Sequence, residues 1–315
     1  MLSFIVNPRS SSGRGMKIWN QVAAQLQVEH IDYNVYFTEF PGHATRLAAE
    51  LSAVANADML CTIVAVGGDG TANEVIHGLH NFSYIRFAYI PSGSGNDLAR
   101  GLQLPTKPLT ALHSILHPEH IVPVNVGQMV SGKVTRRFIV STGIGFDAAV
   151  CHEAEHSPIK RILNRLKLGK LTYLGIALKN ILFLKTGSVV LVTDDEHRFQ
   201  FDGILFAAAM NLRYEGGGFM FCPNADAGDD YLDICLVESM PTLRILRLLP
   251  TAFSGKHVKY TDVVHIFRCK KAAIHAAIPL AIHTDGEPVA ISSDWTVTLL
   301  KEKLPVIYRN SSSVP

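Results

Sequence analysis

Short apolar runs alternate with amphipathic stretches over the first part of the chain. Apolar residues dominate positions 2–6 and 60–66, and runs of this length and composition are typical of buried parallel strands. The intervening segments carry apolar residues at helical spacing, as at Ile18 and Val22. Strands that alternate with helices form a parallel sheet covered by helices, so residues 1–124 are predicted to fold as an α/β domain.

The pattern changes near Val124. Beyond it, apolar and polar residues alternate with period two, as in residues 137–141, 188–193, 204–210 and 232–237, and turn residues separate most of these predicted strands. This alternation predicts an antiparallel sandwich or barrel-like domain over residues 125–295.

Composition narrows the range of functions. The chain has 315 residues, 48% of them hydrophobic, and a formal net charge of +2, so no nucleic-acid partner is implied. No stretch approaches the roughly 20 apolar residues of a membrane span, and no signal-peptide pattern opens the chain. The five cysteines are widely spaced, which is typical of reduced thiols. We therefore expect a cytoplasmic protein.

Three polar turns, two of them rich in glycine, each follow a predicted strand and precede a predicted helix. They are NPRSSSGRG at residues 7–15, GGDGT at 67–71 and PSGSGND at 91–97. Glycine lets the backbone approach an anion closely, and the N–H groups of the next helix then point at that anion. None of the turns fits the Walker pattern, which argues against a P-loop nucleoside triphosphatase. For the second turn alone, a tight turn with a structural Asp69 is an equally good interpretation.

These turns and three later motifs together resemble the diacylglycerol kinase catalytic-domain family, and most closely its soluble bacterial lipid kinases. The later motifs are Asn211 with GGGF at residues 216–219, DDYLD at 229–233 and DGE at 285–287. The resemblance covers nearly the whole chain. NAD kinases and phosphofructokinases also carry GGDGT, so that motif alone does not choose among the three families.

The resemblance implies an NAD kinase-like nucleotide-binding domain and a C-terminal β-sandwich, with residues 296–315 returning to the first domain. It also implies ATP and Mg²⁺ as cofactors. Asp69 would hold the catalytic Mg²⁺, and Asp97 is a second candidate near the metal or the substrate hydroxyl, with helix capping as its alternative role. The candidate nucleotide contacts are Asn7, Arg9, Thr38, Gly67, Gly68, Asp69, Gly70, Thr71, Ala72, Asn73 and Ser94.

Glu287 is the predicted general base. In the related lipid kinases, the Glu of this motif deprotonates the lipid hydroxyl, and a carboxylate on a glycine turn can project into a cleft between domains. The alternative is a plain hairpin turn, since Asp-Gly is a common turn pair.

An acidic loop precedes the predicted strand at 232–237. The resemblance implies a structural Mg²⁺ there, held by Asp226, Asp229 and the carbonyl of Tyr231. Asp230 stands where the family commonly has glycine, and a solvated acidic turn is the alternative.

Residues 160–185 mix lysine and arginine with many apolar residues and contain no acidic residue. A basic amphipathic helix can lie on an anionic bilayer, so this segment is the predicted membrane contact; a core helix with solvated lysines is the alternative. We expect a lipid substrate at the inner membrane surface, and the sequence leaves a homodimer open.

The leading hypothesis is therefore an ATP-dependent lipid kinase. The alternatives are an NAD kinase-type phosphotransferase and a non-catalytic nucleotide- or lipid-binding regulator on the same fold. No motif identifies the lipid, because candidate lipids differ mainly in the pocket shape that they require.

Overall fold

The computed structural model of the protein describes residues 1–93, 95–156 and 187–308, with the side chains of residues 154–156 excepted. The chain divides into two compact units. The first contains Met1–Val126 and the chain from Leu300, and the second is Gly127–Leu299. Ser94 and the whole predicted membrane segment, residues 160–185, lie outside the described residues.

The first unit is a six-stranded sheet with helices between its strands. Its strands are β1 (Leu2–Val6), β2 (Asn34–Phe37), β3 (Cys61–Gly67), β4 (Ile85–Pro91), β5 (His120–Val124) and β16 (Leu304–Tyr308). Its helices are α1 (Ser10–Val28), α2 (His43–Ala53), α3 (Asp69–Gly78), α4 (Asp97–Gly101) and α5 (Pro108–Leu116).

The strands of this sheet lie in the order β2-β1-β3-β4-β16-β5. Neighbours from β2 to β16 are parallel, and β5 runs antiparallel to β16 at the edge. Apolar residues on one face of β1 and β3 pack against the buried stripe of α1, and this core includes Phe4, Val6, Ile18, Trp19, Val22, Val64 and Val66. The predicted parallel α/β fold is confirmed.

The second unit is a ten-stranded antiparallel sheet. Its strands are β6 (Gly127–Ser131), β7 (Val134–Phe138), β8 (Ser141–Gly145), β9 (Val189–Thr193), β10 (His197–Phe201), β11 (Ile204–Met210), β12 (Leu232–Glu238), β13 (Val264–Cys269), β14 (Lys271–Thr284) and β15 (Glu287–Leu299). Its described helices are α6 (Phe146–His156) and α7 (Thr242–Ala252).

The main path of this sheet is β13-β12-β11-β8-β14-β15-β6-β7, and β9 pairs with both β10 and β14. The strand β11 is buried along its whole length because its two faces enter separate apolar cores. Phe206, Ala208 and Met210 enter one core, while Ala207 and Ala209 enter the other. The predicted antiparallel C-terminal domain is confirmed.

Two local expectations differ from the structure. Residues 137–141, predicted as one strand, contain the end of β7 and the start of β8. Residues 296–299 remain in β15 of the second sheet, and the chain returns to the first sheet as β16.

Candidate active site

Three polar turns of the first unit meet at one edge of its sheet. They follow β1, β3 and β4, which are neighbouring parallel strands, so their carboxyl ends lie side by side. The amide of Asn7 donates to Oγ1 of Thr71 over 3.1 Å, and the hydroxyl groups of Ser10 and Ser92 are 2.7 Å apart. Side chains from all three turns are thereby tied together at the position where such sheets bind ligands.

The glycines of these turns permit contacts that a side chain would block. A Cβ on Gly67 would lie 2.5 Å from the side chain of Thr71. A Cβ on Gly95 would lie 3.2 Å from Oδ2 of Asp69 and 3.8 Å from Oδ2 of Asp97. The carboxylates of Asp69 and Asp97 therefore approach the same stretch of bare backbone.

Asp69 begins α3, but its carboxylate reaches the next turn. It accepts hydrogen bonds from the backbone N–H groups of Asp97, at 3.3 Å, and Leu98, at 3.4 Å. Burial raises the pKa of Asp69, and these N–H groups and the charge of Arg100 oppose the rise. The side chain therefore caps α4 while remaining next to the glycine-rich turns.

Asp97 is the first residue of α4 and is mostly buried. Its Oδ1 lies 2.5 Å from Nη1 of Arg100 in an ion pair. Asn96 occupies the N-cap position in a left-handed conformation, yet its side chain makes no capping hydrogen bond. The carboxylate of Asp69 therefore accepts the first N–H groups of α4, and this is the capping role given above as the alternative for Asp97.

The other candidate nucleotide contacts border the same sheet edge or the helix that follows β3. The backbone N–H of Thr38 donates to the carbonyl of Val6 over 2.9 Å, which places Thr38 directly after β2 and beside the first turn. The N–H of Arg9 donates to Oδ1 of Asn7 over 3.1 Å. The first turns of α3 contain Gly70, Thr71, Ala72 and Asn73.

In the second unit, a two-residue turn joins β14 to β15. Asp285 and Gly286 have φ angles of 47° and 80°, and Thr284 pairs with Glu287 across the turn. This is the hairpin geometry that Asp-Gly favours. The backbone therefore forms the hairpin turn that was the alternative interpretation. Glu287 follows this turn as the first residue of β15, and it is exposed.

The turn is anchored through the carboxylate of Asp285. That carboxylate accepts the backbone N–H groups of Ile139, Val140 and Ser141 over 3.1, 2.8 and 2.9 Å. Three N–H groups on one carboxylate hold the turn rigidly, because each of these hydrogen bonds is charge-assisted.

A second anchor is a buried cluster that the sequence did not predict. Nε2 of the fully buried His283 lies 3.1 Å from Oδ2 of Asp147 and 2.9 Å from Oε1 of Glu215. On the other side of the ring, Nδ1 accepts the N–H of Gly286 over 3.2 Å. The cluster therefore links the turn that carries Glu287 to α6 and to the loop after β11.

The contacts of His283 also assign its proton. Burial lowers the pKa of His283, and the two carboxylates more than reverse that effect. The N–H of Gly286, however, points at Nδ1, where a second ring proton would stand. Nδ1 is therefore an acceptor, and the ring proton on Nε2 faces the two carboxylates. Burial also raises the pKa of Asp147, and its contact with His283 opposes the rise.

Among the described residues, Asp147, Glu215 and His283 form a group close enough for a metal ion. A metal would need the lone pair of Nε2, and the Nδ1 contact places the ring proton there. We therefore interpret the group as a hydrogen-bonded cluster. Its one signal in the sequence is position: Glu215 precedes the three glycines at 216–218, and His283 precedes the Asp-Gly turn by two residues.

The acidic loop after β11 brings Asp229 and Tyr231 close to cations. Asp229 forms an ion pair with Arg268 and accepts the N–H of Tyr231 over 3.0 Å. The guanidinium of Arg268 also lies 4.8 Å from the centre of the Tyr231 ring. Oδ1 of Asp226 accepts the N–H of Gly228 over 2.9 Å. A metal ion would compete with Arg268 for Asp229.

Comparison with known proteins gives the family. Residues 1–129 match the family described as diacylglycerol kinase catalytic domain, and residues 139–307 match the YegS C-terminal NAD kinase beta sandwich-like domain. The Bacillus subtilis protein YtlR, whose name places it among lipid kinases, is 31% identical over 90% of this chain and 92% of its own length. The chain belongs to the diacylglycerol kinase family. The resemblance inferred from the motifs is thereby confirmed.

Other members of the diacylglycerol kinase family match over most of their length. A diacylglycerol kinase of Mycobacterium tuberculosis is 30% identical over 90% of this chain and 87% of its own. The structure of a diacylglycerol kinase from Bacillus anthracis covers 99% of this chain and 98% of its own, with a TM-score of 0.70 and 21% identity.

The NAD kinase fold is also similar to that of this diacylglycerol kinase family member. The NAD kinase of Archaeoglobus fulgidus, solved in complex with ATP, aligns with a TM-score of 0.51 and 14% identity over 98% of this chain and 94% of its own. This likeness shows a shared fold.

In the described part of the chain, no helix is long and apolar enough to cross a membrane.

Proposed function

We propose that the protein transfers the γ-phosphate of ATP to the hydroxyl group of a lipid. The observation that carries this proposal is the meeting of three polar turns and two carboxylates at the end of a parallel sheet, in a chain of the diacylglycerol kinase family. Phosphoryl transfer requires held phosphates, cations for the developing charge and a base for the attacking hydroxyl.

The residues present fit Mg²⁺. Asp69 and Asp97 both approach Gly95, so two carboxylates lie next to the turns that would hold phosphates. Mg²⁺ is commonly held by one or two carboxylates together with phosphate oxygens. Asp69, with Asp97 beside it, would hold the ion, which when bound neutralises charge on the transferring phosphate. The structural ion proposed at Asp226, Asp229 and Tyr231 would have to displace Arg268.

Glu287 supplies the base in this proposal. Its carboxylate accepts the proton of the lipid hydroxyl as the hydroxyl oxygen bonds to the γ-phosphorus and the bond from phosphorus to the ADP oxygen breaks. Asp285 and His283 hold the turn that carries Glu287, through the N–H groups of residues 139–141 and of Gly286. The β-sandwich unit thus supplies a rigid support for the base.

The experiment is transfer of labelled phosphate from Mg-ATP to a panel of lipids in mixed micelles, with NAD as a control acceptor. Glu287→Gln keeps the shape of the side chain and removes its basicity. We expect the variant to lower kcat by about 10²–10⁴-fold, the usual contribution of a general base. Glu196→Gln, at an exposed turn of the same unit, is the matched control and should retain activity.

The outcomes separate the alternatives. Label on one lipid, lost in Glu287→Gln and kept in Glu196→Gln, identifies the substrate and supports the proposal. Label on NAD instead would make the protein an NAD kinase. Nucleotide binding without transfer to any acceptor would favour a regulator on the same fold.

A further inference from the structure

Helix α7 presents apolar side chains to solvent. Its Ile245 and Ala252 are buried against the second unit, whereas Leu243 is 61% exposed and Phe253, directly after the helix, is 53% exposed. Positions 243, 246, 250 and 253 follow helical spacing and form one contiguous, solvent-exposed side of the helix. The exposed apolar face is defined here as Leu243, Leu246, Pro250 and Phe253.

Cations border this face. The exposed basic residues of the segment are Arg244, Arg247, Lys256 and Lys259. No acidic residue occurs from position 239 to position 261, and Asp262, which follows, pairs with Arg244. The segment therefore combines exposed apolar area with net positive charge.

A cavity of about 440 Å³ opens beside the helix. Its lining joins aliphatic side chains to two guanidinium groups and a tyrosine ring, and the residues are Pro241, Leu243, Arg244, Arg247, Leu248 and Tyr260. Aliphatic and cationic groups in one cavity suit a ligand with an apolar chain and an anionic head. Tyrosine is enriched where apolar and aqueous phases meet.

We propose that α7 and residues 253–260 form a docking surface for an anionic lipid bilayer. The exposed apolar face enters the acyl boundary, and the cations contact lipid phosphates, as in interfacial amphipathic helices. A second copy of the chain suits the face less well. A two-fold contact would bring together two copies of the same positively charged surface, each carrying Arg247, Lys256 and Lys259, and like charges would repel.

This surface deepens the proposed function, because a kinase acting on a lipid must reach its substrate in a membrane. It differs from the basic segment at 160–185 that the sequence predicted for the same contact. The two segments can be tested separately, since they are far apart in the sequence and carry different basic residues.

The test is binding of the full chain, without nucleotide, to phosphatidylglycerol vesicles and to phosphatidylcholine vesicles by flotation. One variant carries Leu243→Ser, Leu246→Ser and Phe253→Ser, and another carries Arg247→Glu and Lys259→Glu. We expect each to bind phosphatidylglycerol vesicles more than about tenfold more weakly than wild type. Wild-type binding should also fall between about 0.1 M and about 1 M NaCl, as charges are screened.

Ile291→Ser is the matched control, because Ile291 is 69% exposed on β15 of the same unit. It should bind like wild type, and circular dichroism should show all variants folded. Phosphorylation of a short-chain monomeric lipid should be unchanged in every variant, which separates docking from chemistry.

The proposed docking surface is refuted if both variants bind vesicles as wild type does. A third variant carries Lys167→Glu and Lys170→Glu in the basic segment at 160–185, and the surface is also refuted if this variant alone binds more weakly. Conversion of a dimer to a monomer by the serine variant, seen by analytical ultracentrifugation, would make the face a subunit interface instead. Vesicle binding that depends on α7 in a protein without kinase activity would sustain the surface while refuting the proposed function.

Discussion

Asp69 makes structural contacts at the position where the proposed chemistry requires a carboxylate. Its oxygens receive two backbone N–H groups at the start of α4, and the same carboxylate approaches Gly95 beside Asp97. Burial raises its pKa, so the charged form is less stable here than in water. In the proposed kinase, a bound cation would offset this cost.

We expect Asp69→Asn to lose catalysis without losing stability. The folded-state pKa exceeds the ordinary 3.8, so stability from this group is complete below that value and falls as the pH rises through the folded-state pKa. Asparagine is uncharged and retains an oxygen for a backbone N–H of α4. Phosphoryl transfer should fall by about 10²–10³-fold, while the melting temperature at neutral pH should equal or exceed that of wild type.

Differential scanning fluorimetry from acid to neutral pH checks the stability half of this prediction. Any advantage of Asp69→Asn should disappear below the ordinary aspartate pKa of 3.8. A variant that melts well below wild type at neutral pH would mean that the capping contacts need the charge.

At the scale of elements, strand β8 must lack a side chain where it crosses the buried cluster. Gly143 pairs with His283 on β14. A Cβ at this position would lie 2.1 Å from Oδ2 of Asp147 and 2.6 Å from Nε2 of His283. The close approach of β8 to α6 and β14 thus depends on this glycine.

Gly143→Ala should therefore destabilise the second unit, by about 1–3 kcal/mol, the usual cost of overpacking. It should also lower kcat more than it changes KM, because the displaced ring of His283 supports the turn of Glu287. Urea denaturation and steady-state kinetics measure the two effects. Gly228→Ala is the control, since its Cβ would make only a 3.4 Å contact with Asp226, and an equal loss in both variants would refute the argument.

The sequence predicted those features of the fold that depend on local residue patterns. Period and composition gave the alternating α/β elements and the antiparallel strands, and glycine spacing located the turns. Residues 137–141 were wrongly predicted as one strand, because their N–H groups from 139 onward bind Asp285, which is remote in the sequence. The cluster of Asp147, Glu215 and His283 is equally non-local, so no periodicity could reveal it.

At the scale of the whole molecule, the first sheet is built from two distant parts of the chain. The strand β16 lies between β4 and β5 and is the sheet partner of β5. Buried Leu304, Val306 and Ile307 belong to this insertion. Removing β16 would therefore open the edge of β4 and leave β5 unpaired.

A chain truncated after Leu299 should accumulate as aggregate, because an open apolar strand edge pairs with other chains. A chain ending at Tyr308 keeps β16 and is the control. Soluble yield and size-exclusion chromatography measure the difference. A soluble monomeric product from the shorter chain, with the thermal stability of the longer one, would show that β16 is dispensable.

The place of β16 also sets an order of events on the ribosome. The strand β5 emerges long before its partner, and all of Gly127–Leu299 is made in between. At about 5–20 residues per second, the gap beside β4 stays open for on the order of ten seconds during translation. Nascent chains are therefore exposed to chaperone capture in that interval, and the first unit cannot finish folding until the second unit has been synthesised.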